Sequence, residues 1–305
     1  MHLETVHALT SLLLKDGDFA VDATVGWGND FLHLYQCCGS SGMVWGFDIQ
    51  QQALDHVDKK LKALVHTTGS ASNSYQLFCK SHCQLGQHLL NLLEKKLHDA
   101  PQKCCVTRGL VSSSLLNVTA RQRALLNLKC VVFNLGYLPK GDKAVITRPK
   151  SSCMAILQAL TFLSDGGFCA ITLYPGHEGG DLEALEIEGL LKELPRHKWQ
   201  VFSLHIEASH YPSTDSVECD PIGGSCQSAL FEAVQNAFSQ KGEEESVGGF
   251  SEESLEKAGI SLEVFCREAF DEPTTGSVKR RKRGAPPKLL LVRRRLGRSS
   301  NDSHC

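Results

Sequence analysis

No run in these 305 residues approaches the roughly 18 consecutive apolar residues of a membrane-spanning helix, so no membrane partner is expected. Nor does Met1 open a charged and then apolar leader. It is followed by a helical pattern, and the expectation is an intracellular protein of the cytoplasm or of an organelle such as a mitochondrion or chloroplast. Regular cysteine spacing is missing too. The 13 cysteines are odd in number, and Cys37 with Cys38 and Cys104 with Cys105 are adjacent rather than spaced as ligand pairs, which argues against a structural metal. Cys130, Cys153 and Cys169 sit in apolar runs, as reduced thiols do. Internal repeats are absent, and so is a large net charge, which is only -2. That small total hides an asymmetry: Lys279 to Arg298 holds ten Lys and Arg and no acid, which leaves -12 for the remainder.

What is present is a repeating alternation of short apolar runs and amphipathic stretches, the pattern of a parallel sheet covered by helices. Five strands are expected at Phe19 to Ala23, Met43 to Asp48, Tyr75 to Cys79, Cys130 to Asn134 and Phe168 to Leu173. Helices fit before the first strand and at Asp30 to Cys38, Gln51 to Leu64, Gln84 to Leu97, Ser152 to Leu163 and Asp181 to Leu194. Two further β-like runs, Trp199 to His205 and Leu289 to Arg293, complete seven strands. The composition changes between them. Glu243 to Glu272 carries ten acids against Lys257 and Arg267, so residues 207–285 read as a solvated, partly disordered insertion with short helices near Ser251 to Ala258 and Leu262 to Phe270. The expected organisation is one α/β domain of residues 1–206 plus 286–296, doubly wound and Rossmann-like, interrupted by 207–285 and followed by a tail, 297–305. The Ser- and Leu-rich stretch Ala100 to Leu128 is a second, smaller departure.

The strongest local signal is Asp22-Ala-Thr-Val-Gly-Trp-Gly-Asn-Asp30, between an apolar strand and a helix. Glycines there let a ligand approach the backbone, and the free amides of the helix start suit a carboxylate or phosphate. A tight structural turn is the plain alternative. A dinucleotide-binding turn is the sharper one, but Phe31 stands where its third glycine belongs. Asp48, twenty residues beyond Gly28 at the end of the second strand, can accept both ribose hydroxyls of a bound nucleoside, or simply cap the next helix. Those two features together favour a nucleoside ligand without separating S-adenosylmethionine from NAD. The stretch Asn134-Leu-Gly-Tyr-Leu-Pro-Lys-Gly-Asp-Lys143 does more: it puts a carboxamide, a flexible glycine and an aromatic ring at the carboxyl edge of the sheet. Asn-Leu-Gly-Tyr resembles a variant of the Asn/Asp-Pro-Pro-Tyr segment that methyltransferases of amino groups place there.

Taken in order, Asp-Ala-Thr-x-Gly-x-Gly-x-Asp, Phe47-Asp-Ile-Gln50, Lys80-Ser-His82, Phe133-Asn-Leu-Gly-Tyr-Leu-Pro-x-Gly-Asp-Lys143 and Tyr174-x-Gly-His177-x-Gly-Gly180 resemble the bacterial YtqB/MnmM family. These are rRNA methylase-like proteins with an assigned tRNA 5-aminomethyl-2-thiouridine methylation activity. The likeness covers roughly residues 4–206 and resumes at Pro286-Pro287-Lys-Leu-Leu. It implies a seven-stranded class I methyltransferase fold, S-adenosyl-L-methionine as cofactor, and a tRNA anticodon stem-loop as partner. By the same resemblance, Gly26, Gly28, Asn29, Asp30, Asp48, Gln50, Ser81 and His82 would bind the cofactor, joined by Asn134, Leu135 and Gly136. Asn134 and Tyr137 are candidates to hold the acceptor amine, with Asp142 to take its proton and His177 to bond the substrate or orient a phosphate. No metal is implied. This chain departs from the family at Trp27 for Asn, Cys83 for Asp, Pro175 for the first His of His-Gly-His, and Lys288 for an aromatic.

The implied reaction needs an unprotonated amine. For a lysine-like pKa, supplying it at neutral pH costs about 4 to 5 kcal/mol, and the uracil ring lowers this, so positioning and desolvation are expected to outweigh a strong base. Lys279 to Arg283 and Arg293 to Arg298 are candidates for gripping RNA phosphates, equally readable as a solvated tail or a targeting run. The departures motivate the main alternative, an RNA-binding protein with the fold and no activity. An NAD-dependent oxidoreductase is a third reading, and a homodimer is compatible with all of them.

Overall fold

Along Leu128–Asn134, successive side chains enter opposite hydrophobic clusters: Val131 and Phe133 one, Cys130 and Val132 the other. A strand buried on both faces needs this continuous apolar run, and it demands helices on each side. The computed structural model describes residues 2–68, 74–99, 118–139, 141–142, 144–176, 179–206, 260–264 and 287–296. Its strands are β1 (Phe19–Asp22), β2 (Met43–Asp48), β3 (Ser74–Cys79), β4 (Leu128–Asn134), β5 (Phe168–Leu173), β6 (Trp199–Ile206), β7 (Ile260–Val264) and β8 (Lys288–Arg294). The helices are α1 (His2–Leu13), α2 (Asn29–Cys37), α3 (Gln51–Thr68), α4 (Leu85–Asp99), α5 (Ala120–Leu126), α6 (Pro149–Phe162) and α7 (Gly180–Lys192), with a short 3-10 turn at His82–Gln84.

The sheet order is β3-β2-β1-β4-β5-β8-β6-β7. β1 to β5 run parallel, while β8 enters antiparallel between β5 and β6. Residues of α1, α2 and α3 cover one face, and those of α4 to α7 the other. This is the doubly wound α/β architecture of class I methyltransferases, with the seven expected strands in place. The eighth, β7, is a difference: the stretch expected to hold a helix from Leu262 instead begins with a strand that extends the edge beyond β6. Its Ile-Ser-Leu-Glu-Val alternation has the period of a strand, which the acidic composition around it masked. The rest of residues 207–285, including the expected helix at Ser251 to Ala258, lies outside the described residues. Helix α5 was not anticipated. A reciprocal capping box starts it, with the Thr119 hydroxyl accepting from the Gln122 amide and the Gln122 side chain accepting from the Thr119 amide. Among the described residues no helix is long and apolar enough to cross a membrane.

Strand order reverses between β1 and β4, because β1 continues toward β2 and β3 while β4 continues toward β5. In open α/β sheets the crevice outside the carboxyl ends of such strands is where ligands bind.

Candidate active site

A cleft of about 950 Å³ opens at that crevice. Its floor is the turn after β1. Asp22 is fully buried, with Oδ1 accepting from the Thr24 amide at 3.0 Å and Oδ2 without a partner among the described residues. Burial, reinforced by Asp30 and then Asp48, holds its carboxyl well above the usual carboxylate range. The chain then turns through Gly26 and Gly28, both at positive φ, 49° and 82°. Gly28 is the N-cap of α2, and a Cβ there would lie 2.3 Å from Val57 Cγ2 on α3, so only glycine lets these helices meet. Gly26, Trp27, Asn29 and Asp30 line the cleft; Gly28 packs beneath it.

Asp48, at the end of β2, holds the turn in place. Its Oδ2 accepts from the Gly26 amide and its Oδ1 from the Gln50 amide, each at 2.8 Å, which leaves further lone pairs on both oxygens for hydroxyl donors. Ser81 and His82 come to the same cleft from the end of β3. The Ser81 hydroxyl accepts from the Cys83 amide at 3.4 Å. His82 is buried with Nε2 unpartnered among the described residues, and burial pulls its pKa down to about 4, so the ring is neutral at physiological pH.

β4 delivers Asn134, whose amide donates to Thr24 Oγ1 at 2.7 Å and whose carboxamide Nδ2 donates to Asp30 Oδ2 at 3.2 Å. The other oxygen of Asp30 meets His7 Nε2 on α1 at 3.0 Å. Beyond Asn134 the chain loops out and returns. Gly136 O accepts from the Thr147 amide at 2.9 Å, and Tyr137 bridges Ile146, so Leu135, Gly136 and Tyr137 form one wall. Three bonds brace that wall and its return into α6. Trp27 Nε1 donates to the Pro139 carbonyl at 2.8 Å, and Glu183 of α7 accepts from Thr147 Oγ1 at 2.8 Å and Ser152 Oγ at 2.7 Å.

The structure therefore brings together Gly26, Asn29, Asp30, Asp48, Gln50, Ser81, His82, Asn134, Leu135, Gly136 and Tyr137. Asp142 is not among them. It is exposed, and its Oδ1 accepts from the Ala144 amide at 2.9 Å, the habit of an Asp that caps its own turn. His177 lies outside the described residues. Several lining residues were not anticipated as site residues: Thr24, Lys80, Arg148, Ser151 and Tyr174. Lys80 and Tyr174 belong to motifs already quoted, whereas Arg148 and Ser151 follow the loop into α6 and reach the cleft only through the fold. Among the described residues no group of His, Cys, Asp and Glu is arranged to hold a metal.

A family model described as "Putative rRNA methylase" matches residues 44–214. The chloroplastic tRNA (mnm(5)s(2)U34)-methyltransferase of Arabidopsis thaliana is 27% identical over 201 residues, which span 64% of this chain and 61% of that protein. The chain thus matches about three fifths of the length of that relative. Of solved structures, a Clostridium thermocellum protein described in the same words as the family has a TM-score of 0.50 at 27% identity, covering 71% of this chain and 91% of its own. A Streptococcus mutans protein classed as a methyltransferase and solved with SAH has a TM-score of 0.50 at 20% identity, covering 96% and 98%, and supports the fold. With a match across more than half of its length, this chain belongs to the rRNA methylase family.

Proposed function

We propose that the protein is an S-adenosylmethionine-dependent methyltransferase that N-methylates the 5-aminomethyl group of a wobble 2-thiouridine in tRNA. The observation that carries the reading is the junction of two half-sites in one cleft: a nucleoside pocket lined by Asp30 and Asp48, and the Asn134-Leu-Gly-Tyr137 wall. The donor set fits the cofactor. Its sulfonium and ammonium are cations and suit the two acids that line the cleft, Asp30 and Asp48, whereas the pyrophosphate of NAD would meet those acids at the same turn. Asp48 offers lone pairs to ribose hydroxyls, and the neutral His82 ring and Ser81 offer polar edges to a base.

When bound, S-adenosylmethionine supplies an electrophilic methyl group, so that the amine lone pair forms the N–C bond as the C–S bond breaks, sulfur keeps the electron pair, and the resulting ammonium releases a proton to solvent. The residues of this chain hold the reactants. Asn134 directs its carbonyl oxygen toward the acceptor amine, since its amide nitrogen is committed to Asp30. Tyr137 is 41% exposed at the cleft and offers a ring face to the uracil. Arg148, exposed at the same mouth, suits an RNA phosphate. Closeness and desolvation supply the acceleration, in keeping with a wall that carries no strong base. A tRNA substrate is further supported by the activity named for the Arabidopsis relative.

The test is calorimetric titration with S-adenosylhomocysteine, wild type against Asp48→Ala, followed by transfer from methyl-labelled cofactor to tRNA bearing 5-aminomethyl-2-thiouridine. Losing the charge-assisted bonds to two ribose hydroxyls should weaken binding about 100-fold. Label should appear in that tRNA and not in tRNA with plain uridine at the wobble position. Label found in rRNA instead would overturn the substrate, and no binding to wild type would overturn the enzyme.

A further inference from the structure

We propose that His7, on α1 and outside the cleft lining, is a positioning residue that fixes Asp30 and through it turns the carbonyl end of Asn134 toward the acceptor. This rests on the methyltransferase reading above. Asp30 is buried, with one oxygen 3.0 Å from His7 Nε2 and the other 3.2 Å from Asn134 Nδ2. An ionised carboxylate only accepts. Two consequences follow: His7 carries its proton on Nε2, and Asn134 must point its NH2 group inward, leaving Oδ1 for the substrate. The opposite flip would present an N–H donor to the amine, which would occupy the lone pair that has to attack.

The chain of bonds is itself held at its outer end. His33 stacks on His7 with centroids 4.0 Å apart and planes within 1°, and His33 Nε2 donates to the His7 carbonyl at 2.9 Å. Burial, and then the proximity of His7, lowers the pKa of His33, which keeps the outer ring neutral beside its neighbour. α1 and α2 are thereby clamped at the point where the Asp30 carboxylate must not rotate. Without His7 that carboxylate would lose its partner on Oδ1, close to the fully buried Asp22.

The experiment compares wild type with His7→Phe, which keeps a flat ring and loses the donor, and with His7→Gln, which regains an N–H. It reads hydrogen exchange of the Asn134 side-chain NH2 by NMR, affinity for S-adenosylhomocysteine, and kcat and KM on tRNA. In wild type the carboxamide protons should exchange slowly; in the Phe variant they should exchange fast, with kcat down roughly 10- to 100-fold while KM for tRNA stays within about twofold and S-adenosylhomocysteine affinity, to which Asp30 contributes, falls less than kcat does. The Gln variant should recover most of both losses. Carboxamide exchange unchanged in the Phe variant, or a Gln variant no better than Phe, would overturn the proposal. Should the Phe variant fold poorly, His7→Leu, which also lacks a donor, replaces it in the exchange measurement, with the same fast exchange expected. A wild type that exchanges slowly yet transfers no methyl group would refute the enzymatic reading and leave the positioning intact.

Discussion

His82 couples the stability of the protein to pH. Its folded pKa of about 4 lies below the ordinary 6.5, so between those values the unfolded chain binds the proton and the folded one does not. Stability is therefore complete above pH 6.5 and declines as pH falls toward 4, by about 3 kcal/mol from this ring alone. Urea unfolding at pH 7 and pH 4.5 should show a smaller difference in His82→Gln than in wild type; equal differences would mean the ring is hydrated. At this scale the candidate site was partly legible. The glycine turn, Asp48 and Asn134 announce themselves because they occupy fixed offsets from strand ends. Asp142 misled for the same reason, since its place in the motif says nothing of which way the carboxyl faces. The contributions of His7 and Glu183 are not written in any local pattern: each acts across 23 and 31 or more residues, on Asp30 and on Thr147 and Ser152.

Among the elements, the loop from Leu135 to Arg148 is the one whose shape decides what the cleft admits. The Trp27 indole bonds to it from the turn after β1, while its ring packs edge-on to His56 of α3. The departure from the family's Asn at this position thus has a structural role of its own. Trp27→Phe should preserve the ring contact and lose the bond to Pro139. A neutral hydrogen bond is worth about 1 kcal/mol, so S-adenosylhomocysteine affinity should drop about fivefold with little change in melting temperature. An unchanged affinity would show that the loop is held without the indole. The strands were readable because β1, β2, β4 and β5 carry buried apolar runs and β3 alternates with the period of a half-exposed strand. β7 and α5 were not, since one is a five-residue edge in acidic surroundings and the other depends on a cap rather than on a long periodic face.

For the whole molecule, ligand binding and folding are linked because the floor of the cleft comes from three strands, β1, β2 and β4, that must already be aligned. At a concentration 100 times its dissociation constant, S-adenosylhomocysteine should stabilise the fold by about 2.7 kcal/mol, or roughly 5 to 10 °C in melting temperature, and NAD should produce no shift. A comparable shift with NAD would reopen the oxidoreductase reading. The same linkage bears on synthesis. β8 lies between β5 and β6, and Leu289 to Val292 are buried there, yet these residues are translated about 80 positions after β6. On the ribosome, β5 and β6 leave the exit tunnel with their shared neighbour still unmade, so each exposes an unpaired edge throughout that interval. The nascent chain therefore has a period in which a chaperone, or an aggregating neighbour, can reach the sheet at the place the finished fold seals last.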